Sequence, residues 1–227
     1  MKSISGNSRF AGPSLVWLAL VHVGLFVAMG VAGNLMQHGT PVMNPYGSAE
    51  KAREFFANNA EQIRVTQFLF FASAIPLGIY AATIVSRLRY LGVRAAGTNI
   101  ALLGGFVASL LIALSALFSW TLSIPEISAS LPVTRLLHFL TFQLGGPGFA
   151  VFFGLLAAGV CVTSYFKKLL PGWVIWLGMV VAVAGELSSV SLVNYYFTLA
   201  IPVTRFVGFV WLIAAGAKLP SEPVVRG

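Results

Sequence analysis

The sequence predicts an all-α fold: a polytopic integral membrane helical bundle of six transmembrane helices, arranged as three hairpin pseudo-repeats within one domain spanning residues 1–227. Three observations predict it. Apolar residues make up 58% of the chain and charged residues only 9%, against roughly 25% charged in soluble domains, and the mean hydropathy is +0.88. The apolar residues fall in six blocks longer than about 18 residues, the length that reads as a membrane helix. Finally, one phrase recurs. Pro132-Val133-Thr134-Arg135 followed by Phe139 matches Pro202-Val203-Thr204-Arg205 followed by Phe209, with a weaker copy in Arg64-Val65-Thr66-Gln67 followed by Phe71. The threonines stand at 66, 134 and 204, so the copies are 68 and 70 residues apart. Each copy opens an apolar run that is itself preceded by another, hence three hairpins.

The first span is expected over 13–33. A cleaved signal peptide is the rival reading, because Val31-Ala32-Gly33 resembles a small-residue cleavage site. The run is longer than the usual apolar region of about 7–15 residues, which favours a retained span. Residues 34–63 form the one sizeable loop, predicted on the outer surface. Asn44-Pro45-Tyr46-Gly47 is turn chemistry, and Ser48 can cap a following helix. In that helix Ala52, Phe55, Phe56 and Ile63 share a face while Glu50, Glu54 and Glu61 lie elsewhere, an amphipathic segment suited to the membrane surface.

The second span is predicted over 65–86 with a kink at Pro76, and the third over 99–120. On the third, Gly105, Ser109, Ala113 and Ala116 form a small-residue stripe that lets another helix approach closely. The fourth, 133–164, carries Gly145-Gly146-Pro147-Gly148 in its middle. Glycine costs a helix roughly 1 kcal/mol and proline roughly 3, so a break or sharp kink is expected there. The fifth span, 173–194, has a second small stripe in Gly178, Ala182, Gly185 and Ser189. The sixth covers 201–219.

The net charge of +8 does not point to nucleic acid, because the basic residues are scattered over short loops. They fit membrane orientation instead. Lys2, Arg9, Arg87, Arg89, Arg94, Lys167, Lys168, Lys218 and Arg226 fall on one side, and only Lys51, Arg53 and Arg64 on the other. Nine against three predicts both termini in the cytoplasm of a bacterial inner membrane.

On that orientation the three phrases begin helices that enter from the outside. Proline suits a first helical turn. Arginine suits it less, because the helix N-terminus already carries partial positive charge. Arg135 and Arg205 therefore call for an anion. Glu186 lies roughly 12 Å down the fifth span at 1.5 Å per residue, a depth at which a charge is rarely left facing lipid. His138 lies one turn beyond Arg135, and Gln67 stands in the arginine's place in the second span. These residues, with Gln143 beside the glycine-rich break, are the candidate ligand-binding set. Broken helices near the midplane also line transporter sites, although three parallel repeats differ from the inverted plan.

Other chemistries find little support. The chain has one cysteine, Cys161, and no aspartate, so no disulfide within it and no thiolate metal site is expected. A bis-histidine haem would need ligands at equal depth, whereas His22 and His138 differ by roughly 9 Å. No serine–histidine–aspartate or paired-carboxylate arrangement exists in the spans, so no catalytic residue, metal or cofactor is assigned.

Ser73-Ala74-Ile75-Pro76-Leu77-Gly78-Ile79-Tyr80, Ser86-Arg87-Leu88-Arg89, Leu91-Gly92-Val93-Arg94, Gly145-Gly146-Pro147-Gly148 and Gly185-Glu186-Leu187-Ser188 resemble segments of bacterial multi-span membrane proteins grouped as a domain of unknown function. The resemblance implies a bacterial inner-membrane location and no activity. Two functional readings follow from the residues. One is an outward-facing polar pocket that binds or transports a small anionic solute or a lipid. The other is a structural or partner-binding membrane subunit whose polar cluster only fixes packing.

Overall fold

In hydrocarbon a backbone amide has no water to bond, so an apolar run must satisfy its own N–H and C=O groups as helix. The computed structural model, which describes residues 10–39, 41 and 44–222, is helical accordingly. Three cations of the orientation count, Lys2, Arg9 and Arg226, lie outside the described residues.

Among the described residues, six stretches are long and apolar enough to cross a membrane, which supports a multi-pass membrane protein. They are α1 (Leu15–Met36), α3 (Ala60–Tyr90), α4 (Ala96–Thr121), the continuous stretch Leu131–Lys167 that ends in α7 (Phe149–Lys167), α8 (Gly172–Ser189) with the turn after it, and α9 (Ala200–Lys218) with the 3-10 turn before it. Two short helices, α2 (Ala49–Asn58) and α5 (Pro125–Ser128), sit between spans. The second span starts five residues before the expected Val65, because Glu61, Gln62 and Arg64 continue the helix beyond its apolar part.

The helices pack in a closed sequence of neighbours: α1 on α3, α3 on α4, α4 on α7, α7 on α8, α8 on α9, and α9 back on α1. Tyr80, Leu77, Phe149, Phe153, Leu156 and Trp211 are wholly buried between them, and the Tyr80 hydroxyl donates to the Leu212 carbonyl at 2.8 Å. The small residues do what a membrane interface asks of them. A Cβ on Gly104 would stand 2.5 Å from the Leu156 nitrogen of α7, and one on Gly185 would stand 2.6 Å from the Ala150 carbonyl. Methyl groups there would force the backbones apart.

Pro76 lies inside α3, where its missing N–H and its ring disturb the carbonyls of the preceding turn. Side chains from both neighbouring helices occupy these carbonyls. His22 Nδ1 donates to Ser73 at 2.8 Å from α1, and Ser109 Oγ donates to Ala74 at 2.7 Å from α4. His22 thus has a packing duty at the kink. At the end of the bundle where α1 begins and α9 ends, the Phe10 N–H donates to the Ser221 carbonyl at 2.9 Å, so these two residues share one end.

Of the break or sharp kink expected at Gly145-Gly146-Pro147-Gly148, the break does not occur. α6 (Leu131–Gln143) runs through a π-helical turn, Leu144–Gly148, directly into α7 (Phe149–Lys167). The wider turn absorbs the proline without ending the helix, as π-bulges do. Glycine is needed at 145 for space, since a Cβ there would come 2.5 Å from Ser115 Oγ of α4.

The amphipathic segment forms as expected. Ser48 caps α2, its hydroxyl accepting from the Lys51 N–H at 3.3 Å. Ala52, Phe56 and Ile63 are buried with Leu122 in a small second core, with Ile127 and Leu137 packed against it. The helix therefore covers the end of the bundle over α5 and α6.

Candidate functional site

Each copy of the repeated phrase places its threonine inward. Thr66, Thr134 and Thr204 are all buried. Each hydroxyl donates to a carbonyl earlier in the chain: Thr66 to Gln62 at 2.8 Å, Thr134 to Ser128 at 3.3 Å and Thr204 to Ala200 at 3.0 Å. The next residue is turned by about 100°. Where it arrives depends on what stands beside the helix.

α9 packs on α8 and on α1, and Arg205 turns to the α1 side, into the bundle. Its guanidinium carbon lies 5.2 Å from the Phe26 ring centre, 6.0 Å from Phe70 and 4.9 Å from Phe149. One terminal nitrogen donates to the carbonyl of Gly145 in the π-turn. No carboxylate of the described residues pairs with it. A guanidinium has five N–H donors, so this cation retains unused ones among aromatic faces.

Arg205 borders a cavity of about 400 Å³, open on one side. α1 supplies Phe26 and Met29, α2 roofs it with Phe55 and Phe56, and α3 brings Gln62, Thr66, Gln67 and Phe70. His138, Thr141 and Phe142 of α6 face them, with Ser115 and Ser119 of α4 and with Gly145 and Gly146. Much of the polar lining is already engaged: Ser115 donates to the Thr141 carbonyl at 2.9 Å and Thr141 to that of His138 at 3.0 Å. Gln62 is engaged by half. Its amide nitrogen donates to the Gly33 carbonyl at 2.6 Å, while its buried Oε1 accepts from nothing. The His138 ring sits edge-on to Phe56, centroids 5.2 Å apart.

Five of the expected residues therefore converge: Arg205, His138, Gln67, Gly145 and Gly146. The others do not join them. Arg135 is exposed, its guanidinium 5.8 Å from the Phe139 ring centre. Gln143 does not line the cavity and donates to the Tyr46 hydroxyl at 3.4 Å. Pro147 and Gly148 shape the π-turn without lining the space.

The expected pairing of Glu186 with Arg135 or Arg205 does not occur. Glu186 is exposed on α8, and geometry dictates this. The preceding residue, Gly185, faces α7, where the Cβ it lacks would stand 3.0 Å from the Gly154 Cα. One residue on, the side chain points about 100° away. The anion nearest in effect to Arg135 is Glu50, at the start of α2. The N–H of Glu50 itself, the Ser48 hydroxyl and then Arg135 and Arg53 hold its carboxyl below the usual range.

Sequence reasoning missed Gln62, Ser119 and the rings of Phe26, Phe70 and Phe149. The phenylalanines read as ordinary span residues, and nothing local marks which rings meet a cation. Gln62 carried a usable signal, being an amide one residue from Ile63 on the buried face of α3. Comparison with protein-family models, with curated proteins and with solved structures finds no match.

Proposed function

We propose that this chain binds or transports a small anionic species, a solute or a lipid headgroup, through the cavity beside Arg205. The carrying observation is the state of that arginine: lodged among three aromatic rings, anchored by a single carbonyl and without a carboxylate partner among the described residues. A desolvated cation beside an open cavity is a recognition element for carboxylates and phosphates. The π-turn supports this reading, since such turns recur at functional sites and here one of its carbonyls orients the cation.

In the same proposal the protein sits in a bacterial inner membrane with both termini cytoplasmic, as the positive charge count favours. The cavity then opens toward the outside, because α2 and the beginnings of α3, α6 and α9 stand at the end away from residues 10 and 221. The alternative, a structural or partner-binding subunit, draws on the same stacking, which can act as a packing device alone. The two separate in a thermal-unfolding screen of detergent-solubilised protein against anions and anionic lipids. A stabilising anion whose effect vanishes in Arg205→Gln supports the pocket. If every response is the same in Arg205→Gln as in the parent chain, the structural reading stands.

A further inference from the structure

Where α7 ends and α8 begins, at the other end of the bundle from the Arg205 cavity, the two helices border a groove of about 390 Å³. Val162, Tyr165 and Phe166 of α7 line it, with Gly172, Trp176 and Met179 of α8. Near their other ends the same helices meet backbone to backbone, a Cβ on Gly154 standing 3.3 Å from the Gly185 Cα. The groove is apolar, and the rings of Tyr165, Phe166 and Trp176 on it are exposed. Tyrosine and tryptophan exposed in this way suit the level of lipid headgroups. We infer that the groove holds an acyl chain of an anionic phospholipid, whose phosphate is bound at Lys168.

The lysine carries the inference. Lys168 is exposed two residues beyond Phe166, and no carboxylate of the described residues pairs with it. The whole stretch 127–185 contains no acidic residue. Lys168 is also the one non-glycine among the described residues with a left-handed backbone, at φ 51°. Its N–H donates to the Tyr165 carbonyl at 3.2 Å and that of Leu169 to the Ser164 carbonyl at 2.9 Å, a helix ending that ordinarily takes glycine. A side chain is disfavoured in this conformation and glycine is not, so the cap does not explain a lysine. Nor does the negative end of α7, since Lys167 in its last turn already supplies a cation there. An anion at the rim of the groove does explain it, as strained positions persist where the side chain has a task. In the orientation proposed above this end faces the cytoplasm, where basic pockets between spans take anionic headgroups. The apolar lining covers the chain attached to the phosphate, which a free phosphate lacks.

The test uses the full chain in mixed maltoside micelles containing phosphatidylglycerol or phosphatidylcholine, with native mass spectrometry for retained lipid and thermal unfolding for stability. Phosphatidylglycerol is expected to be retained about fivefold over phosphatidylcholine, the gain one lysine brings beside anionic lipid. Inorganic phosphate is expected to leave the melting temperature unchanged. Lys168→Gly is expected to erase the preference while the melting temperature in phosphatidylcholine stays level or rises, because glycine relieves the left-handed position. Gly172→Leu, whose side chain enters open space, is expected to fill the groove and lower phosphatidylglycerol retention. Equal retention of the two lipids by the unmodified chain overturns the inference without any variant. So does a preference that survives both substitutions, or a Lys168→Gly chain that loses stability equally in both lipids and keeps the preference. A two-chain mass that Gly172→Leu splits would give the groove to a second copy and likewise sink it. None of these outcomes bears on the anion response of Arg205, which is read in its own screen.

Discussion

Two stretches with the same words, Pro132-Val133-Thr134-Arg135 and Pro202-Val203-Thr204-Arg205, place their arginines in opposite surroundings. Arg135 lies exposed against one ring at the edge of the bundle, with Glu50 as its nearest influential anion. Arg205 lies among three rings and holds a backbone carbonyl. The threonine before each is buried and bonded backward in both copies. The phrase thus fixes which way a helix face turns. The fate of the residue beside that face is set by what stands there: Phe26 of α1, Phe70 of α3 and Phe149 of α7 for Arg205, and Phe139 of its own helix for Arg135.

The contrast can be broken most forcefully at the arginines. Arg205→Ala removes three ring contacts and leaves the Gly145 carbonyl without its donor, a loss of about 2–3 kcal/mol. Arg135→Ala should stay within about 0.5 kcal/mol, as exposed substitutions do. Mixed-micelle unfolding of the two variants measures both, and equal losses would contradict the difference drawn here. Gly145→Ala comes next. Its added methyl would press on Ser115 Oγ, so about 1–3 kcal/mol should be lost, together with any anion response that depends on Arg205.

Smaller effects sharpen the shared half of the comparison. Thr134→Val and Thr204→Val should each lose about 1 kcal/mol, alike in the two copies where the arginines differ. The smallest effect is electrostatic. The Glu50 carboxyl titrates lower in the folded chain than in the unfolded one. Its contribution is therefore present above the usual carboxylate range and is lost as pH falls through the folded value. Hydrogen exchange in α2 should quicken across that acid window, and Glu50→Gln should flatten the dependence.

The six spans were legible because hydrocarbon leaves a backbone no alternative to helix, and apolar length alone announces it. The small stripes were legible for a similar reason: Gly105 and Gly185 meet neighbouring helices so closely that a side chain would collide. The site was half legible. Arg205, His138 and Gln67 stand out as polar residues in apolar runs. Glu186 stood out equally and lies elsewhere, because its direction follows from Gly185 packing on α7, a fact about two helices and not about one. The π-turn was not foreseen at the expected break or sharp kink, since intrinsic propensities count the cost of glycine and proline but not the wider turn that relieves it. Gln62 offered only its place beside Ile63, and that its nitrogen is held by the Gly33 carbonyl requires coordinates.

The π-turn also has a meaning for register. Such a turn is one residue more than an α-helix needs, and each residue of α-helix advances the rotation by about 100°. Removing one residue from 144–148 would let α6 and α7 merge into uniform helix and rotate one against the other by that angle. With α7 locked on α4 and α8, the half that turns is α6, carrying His138 and Thr141 away from the cavity. The extra residue works as a phase shifter: one continuous span shows one face to the packed core and, half a membrane away, a different face to the cavity.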